Sequence, residues 1–219
     1  MSNVVSLSRT KSFDEEGIRQ AVYEAIDMVG FDPPAQLCSV LIKPNLCYYW
    51  DYSTGETTDP RVVSAVIDYL RDRCGNDLDI RIVESDASAM RVKHAFKMLG
   101  YEKLSRSKSV GLMNLCEDKV VEKLTEVKAH QIRLPLPSSV FEVDLMINIP
   151  KLKTGPFASG KGLHITCALK NLFGCIATNQ KVYYHPEINE VIVAVNKLIE
   201  TDLTVVDGII AKGKNPCKL

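Results

Sequence analysis

Between Val40 and Ser85 the chain reads VLIKPN, then TTDPRVVSAVIDYLRDRCG, then LDIRIVES: an aliphatic run, a helix-periodic stretch and a second aliphatic run. That order constrains the fold more than any other feature. Two short β-prone runs joined by an amphipathic helix are the repeating unit of a parallel sheet with helices packed on it. In the middle stretch Asp59 can cap, Pro60 suits a first turn, and Val62, Val63, Val66, Ile67 and Leu70 form one apolar stripe that Gly75 ends. The pattern continues with a helix over Ala89 to Leu99 and a strand in SVGLMNL, and it is preceded by an amphipathic helix from Asp14 to Val29.

The order then changes. KVVEKLTEV and KAHQIRLPLP, the latter with Pro135 and Pro137, read as a hairpin, and VFEVDLMINIP has the continuous apolar character of a central strand. A helix from about Leu163 to Phe173, another from Glu187 to Glu200, and a last strand in LTVVDGII complete the expectation. The fold class is therefore α/β, a mostly parallel sheet with helices on both faces and a small antiparallel hairpin insertion. No linker divides the 219 residues, so a single domain over 1–219 is expected. The chain stops soon after LTVVDGII, which reads as a C-terminally short member of a longer family.

Composition narrows the partners. Lysine plus arginine equals aspartate plus glutamate, 27 of each, so no overall field draws nucleic acid or an anionic membrane. The first residues lack the apolar core of a signal peptide, and no apolar run approaches the roughly 18 residues of a membrane span. A cytoplasmic location is expected. Seven dispersed cysteines without a CxxC pair argue against a disulfide framework or a zinc knuckle, and most read as small core residues.

The segment from Ile147 to Cys175 gathers four lysines, a histidine, two cysteines and four glycines. Gly155, Gly160 and Lys161 match the spacing of a phosphate-cradling loop, G-x-x-x-x-G-K, but Gly162 stands where magnesium binding requires serine or threonine. A nucleotide site is accordingly the weaker reading. The stronger one is an anion pocket at the strand ends. Lys151 and Lys153 alternate, so an extended chain would send both toward one anion. Lys43 and Asn45 end an earlier strand at the same edge, and Lys161 and Asn171 complete the ligand-binding candidates. Lys170, if buried, could titrate low enough to act as a base; His164 and His185 are the other proton-transfer candidates. Asp59 reads first as a cap, while Glu84 and Asp86 close a strand where a metal or a ligand hydroxyl could be held.

IKPN, TTDPRVVSAVIDYL, VDLMINIPKLKT, ALKNLFGC and TVVDGI, in this order and spacing from about Val40 onward, resemble the prokaryotic family known as domain of unknown function 362. Its members are often described as iron–sulfur centre proteins, and many carry clustered cysteines for four-iron clusters. This chain has no such run, so a resident cluster is not implied and the cofactor stays unknown. The family commonly has histidine after the KLKT threonine, where Gly155 stands here; either His164 supplies the imidazole or that function is absent. A distant likeness of the family to the N-terminal part of nickel-dependent lactate racemases concerns fold alone. Three classes of function follow: a protein, enzymatic or not, for a small phosphorylated or carboxylate molecule; a redox or iron–sulfur accessory protein that takes its cluster from a redox partner or shares one through Cys167, Cys175 and Cys217; or an inactive remnant.

Overall fold

The computed structural model describes residues 4–34, 36–154 and 165–213 and, for the main chain alone, Pro216–Lys218. Helix α1, Glu15–Met28, starts at Asp14, whose carboxylate accepts from Gly17 N at 2.8 Å, and buries Ile18, Val22 and Ile26 at four-residue spacing. Strand β1, Ser39–Pro44, leads through a short turn at Tyr52–Thr54 to α2, Pro60–Cys74, which Asp59 caps and Gly75 ends at φ 88°. Next come β2, Asp79–Glu84, α3, Val92–Met98, α4, Tyr101–Lys108, and β3, Gly111–Asn114. The helix expected over Ala89 to Leu99 begins only at Val92, because the Asp86 carboxylate accepts from Val92 N at 2.8 Å. Gly100, at φ 84°, both ends it and opens α4, a helix absent from the sequence-based expectation.

Strands β4, Val120–Val127, and β5, His130–Pro137, form the antiparallel hairpin, with Pro135 and Pro137 inside β5. A two-stranded ribbon tolerates them because its outer edge needs no ladder donors. A four-residue turn of helix, α5, Ser139–Glu142, precedes β6, Leu145–Ile149, and β7, Lys151–Lys153. The helix expected from Leu163 to Phe173 is far shorter. Residues 163 and 164 lie outside the described residues, Thr166 pairs with Lys153 in a β-bridge (2.7 and 3.1 Å), and helix α6 spans only Ala168–Asn171 before a 3-10 turn, Leu172–Cys175. Helix α7 is Ile188–Leu198. LTVVDGII splits into β8, Leu203–Thr204, and β9, Asp207–Lys212, in different sheets, and β10, Pro216–Lys218, pairs antiparallel with β9.

The main sheet is parallel throughout, in the order β3-β2-β1-β6-β8, and β7, β9 and β10 make a smaller one. Strand alternation divides the core. Val40, Ile42, Ile80, Ile82, Leu145 and Ile147 join one cluster with α1 and α2, while Leu41, Val83 and Met146 join a second with β5 and α7. The crossover from β1 to β2 through α2 thus covers one face, and that from β6 to β8 through α7 covers the other. The order of winding reverses between β1 and β6, where chain leaves in opposite directions and a crevice forms beyond the strand ends. Among the described residues no helix is long and apolar enough to cross a membrane.

Candidate functional site

At the C-terminal ends of β1 and β6 the alternation that buries Leu41 and Met146 brings Lys43 and Asn148 to the same face, in register with each other. The segment Thr57–Asp59 stitches this edge together. Thr58 Oγ1 accepts from Asn45 N and donates to Ile149 O, at 2.9 and 2.8 Å, and Thr58 N donates to Asn45 O at 2.9 Å. Asp59 caps α2, holds Arg61 at 2.6 Å, and donates its own N–H to Asp207 at 2.8 Å.

The lysines that the sequence singles out meet carboxylates. Lys43 Nζ lies 2.9 Å from both oxygens of Glu84, and neither side chain is more than 4% exposed. Glu84 also accepts from Leu46 N and Ser85 N. Lys151 donates to Asp207 at 2.8 Å, both side chains fully buried. Burial raises the Asp207 carboxyl above its ordinary range, against the pull of Lys151 and the Asp59 N–H. Lys153 goes elsewhere, to the backbone oxygen of Glu56 at 2.7 Å and its carboxylate at 3.4 Å, and Lys212 pairs with the same carboxylate. Burial disfavours that charge, yet the two lysines together hold Glu56 below the usual range. The expectation that Lys151 and Lys153 point at one shared anion is therefore corrected: a bulge between them in β7 sends each to its own acid. Glu84 and Asp86 likewise serve internal partners, Asp86 binding Val92 N and Arg91.

Lys170 differs. It lies 5.4 Å from the centre of the Phe173 ring, and among the described residues no carboxylate meets it. Burial, with the nearby charges of Lys153 and Lys43, lowers its pKa below that of an ordinary lysine. Its neighbour Asn171 is buried in a chain of amides: Asn171 Nδ2 donates to Asn148 Oδ1 at 2.7 Å and lies 3.2 Å from Lys43 O, and Asn45 Nδ2 donates to Asn171 Oδ1 at 3.1 Å. His185 is exposed, ends the 3-10 turn Lys181–Tyr184, and packs its ring 5.9 Å from that of Phe173, which thus touches both Lys170 and His185. Lys161, His164 and the G-x-x-x-x-G-K loop lie outside the described residues.

Sequence reasoning missed Lys181 and Asn148. Lys181 is buried with its ammonium on three neutral oxygens, Asp86 O, Ser85 Oγ and Thr178 O, at 2.6 to 2.8 Å, and burial lowers its pKa. Its surroundings, TNQKVYYH, are polar and give no signal of burial. Asn148 does carry one, as the lone amide inside the apolar run LMINI.

No three or more His, Cys, Asp or Glu side chains among the described residues gather where a metal could be held. Cys175 is fully buried, and burial pushes its thiol up to about 12; Cys116 and Cys167 are also raised by burial. Cys175 is a core thiol, Cys116 and Cys167 are half-buried, and the described cysteines present no ligand set for an iron–sulfur cluster. An open depression of about 620 Å³ runs along α1, beside Arg19, Tyr23, Asp27 and Met28. Its polar groups already answer one another, Tyr23 and Asp72 at 2.7 Å and Arg73 and Asp27 at 2.7 Å, which leaves the strand ends as the stronger candidate site.

A parallel α/β sheet whose winding reverses beside a buried lysine, carboxylate and amide cluster defines a doubly wound protein with its candidate site at the reversal. More particularly, the chain belongs to the family described as Domain of unknown function (DUF362), whose profile matches residues 40–216. It is 27% identical over 229 residues to the thylakoid-associated protein sll1697 of Synechocystis sp., in an alignment covering 99% of this chain and 66% of that protein. Among solved structures, the lactate racemase apoprotein from Thermoanaerobacterium thermosaccharolyticum aligns with a TM-score of 0.47 and 13% identity. That alignment covers 92% of this chain and 50% of the racemase.

Proposed function

We propose that the chain binds a small anionic molecule, phosphorylated or carboxylate, in the crevice between the C-terminal ends of β1 and β6, with Lys170 supplying the charge that meets it. The observation that carries this reading is the contrast among the lysines. Lys43, Lys151 and Lys153 are matched by Glu84, Asp207 and Glu56, whereas Lys170 is desolvated beside two of them without a carboxylate among the described residues. Ion-paired lysines hold the frame, and Lys181 is held by three neutral oxygens; a lysine with neither among the described residues attracts an anion.

In this reading Lys43, Lys153 and Asn171 shape the site, Lys151 secures the edge beside it, and Asn45 faces the ligand. Lys161 and His164 follow Lys153 in sequence and join as candidates from their place in the chain. The lowered pKa of Lys170 makes its neutral form available at lower pH than in ordinary lysine, which suits a proton-transfer role, with His185, whose ring also packs against Phe173, as a second candidate. The ligand is a diffusible molecule of the cytoplasm.

A thermal-shift screen against phosphorylated metabolites, carboxylates and inorganic phosphate tests the proposal, because a ligand that binds only the folded chain raises its melting temperature. A shift with a small anion that disappears in Lys170→Met supports it. A Lys170→Met protein that keeps the full shift contradicts it.

A further inference from the structure

The amide chain at the reversal point has a direction, and its last oxygen is open. Asn148 Nδ2 donates to Ala168 O at 3.0 Å, which makes Asn148 Oδ1 the acceptor that Asn171 Nδ2 reaches at 2.7 Å. Asn171 Nδ2 also faces Lys43 O and Pro44 O at 3.2 and 3.4 Å, so turning that amide would set oxygen against three oxygens. Asn171 Oδ1 is thereby committed to accept from Asn45 Nδ2. Asn45 Oδ1 remains, buried and without a hydrogen-bond partner among the described residues. Thr58 holds the main chain of Asn45 from both its N–H and its carbonyl, which fixes the position from which the side chain extends.

Buried acceptors in folded proteins are nearly always paired, because an unpaired one forfeits its hydration with no return. The open oxygen therefore calls for a donor. It belongs to the residue bonded to Asn171, and Asn171 adjoins Lys170 in the single turn of α6.

We infer that the ligand is a hydroxylated anion: a small carboxylate or phosphate ester whose hydroxyl donates to Asn45 Oδ1 while the charged group meets Lys170. This rests on the anion-binding reading above and adds to it the second point of attachment. A plain anion would satisfy Lys170 and leave Asn45 as it is; a neutral alcohol would do the reverse. The pair of contacts selects molecules that carry both groups.

Matched ligands that differ by one hydroxyl test the inference: glycolate against acetate, and 2-hydroxyethyl phosphate against ethyl phosphate, titrated calorimetrically into the full chain and into Lys170→Met and Asn45→Ala. The expected result is tighter binding of the hydroxylated member of each pair, by roughly three- to tenfold as one net hydrogen bond provides. That preference falls to unity in Asn45→Ala, and all binding is lost in Lys170→Met. Equal affinities within each pair, still lost in Lys170→Met, overturn the hydroxyl contact and leave the anion site standing; Asn45 Oδ1 is then met by water. Absence of binding by all four probes overturns both. If Asn45→Ala does not fold, the comparison within pairs on the unaltered chain decides alone.

Discussion

The lysines singled out at the strand ends fall into two kinds, and substitution separates them. Removing Lys43 leaves Glu84 charged in a place that is 3% exposed, and the desolvation once offset by the pair then goes uncompensated. Lys43→Met is expected to cost about 3–5 kcal/mol of folding stability, and Lys151→Met a similar amount through Asp207. Lys170→Met removes a desolvated charge that no described carboxylate offsets, so it should leave stability unchanged or raise it. Urea denaturation of the three variants checks both signs, and a loss in Lys170→Met as large as in Lys43→Met contradicts the distinction. The sequence marked Lys43, Lys151 and Lys153 as residues of the strand ends but gave no view of their partners. Glu84 lies 41 residues from Lys43 and Asp207 lies 56 from Lys151, and local pattern carries no information about contacts so distant. Position was legible, pairing was not.

At the scale of elements, the turn Leu172–Cys175 closes directly over the Lys43–Glu84 pair. A Cβ on Gly174 would stand 2.7 Å from Lys43 Nζ and 2.9 Å from Glu84 Oε1, and Gly174 O accepts from Ser85 Oγ. Glycine is needed here for space. Gly174→Ala is expected to force the turn or the pair aside and to destabilise the fold by about 1–3 kcal/mol, the usual range for overpacking; calorimetric melting measures it, and an unchanged transition would show that the turn yields freely. The long helix expected over Leu163 to Phe173 failed for a related reason. Its apolar spacing is real, but Thr166 is taken by Lys153 in a bridge, and the chain reaches the strand ends as one turn of α-helix and one 3-10 turn. Tertiary pairing overrode local propensity. Where capping chemistry was local, as with Asp14, Asp59 and Gly75, the element ends were read correctly.

For the whole molecule, the alternation of aliphatic runs and amphipathic helices was sufficient to give a parallel sheet with helices on both faces, and the hairpin was legible from its two alternating strands. The smaller sheet was not. Pro150 divides β6 from β7, and β8 and β9 divide at the same level, with Val205 N donating to Asn148 O and Asp207 N to Pro150 O, both at 2.9 Å. Two neighbouring strands thus change sheet together, and only Pro150 announces it in the sequence. The consequence is a polar edge, Asn45, Asn148, Lys170 and Asn171, at the point where the winding reverses. Lys170 is in this reading the desolvated cation of that edge and meets an anion there. The most direct test is the titration of the Lys170 amine by NMR, in the free protein and with inorganic phosphate. The expected pKa lies below the ordinary lysine value of 10.5 in the free protein and rises when phosphate binds, because a neighbouring negative charge favours the ammonium form. An ordinary value that phosphate does not move would contradict it.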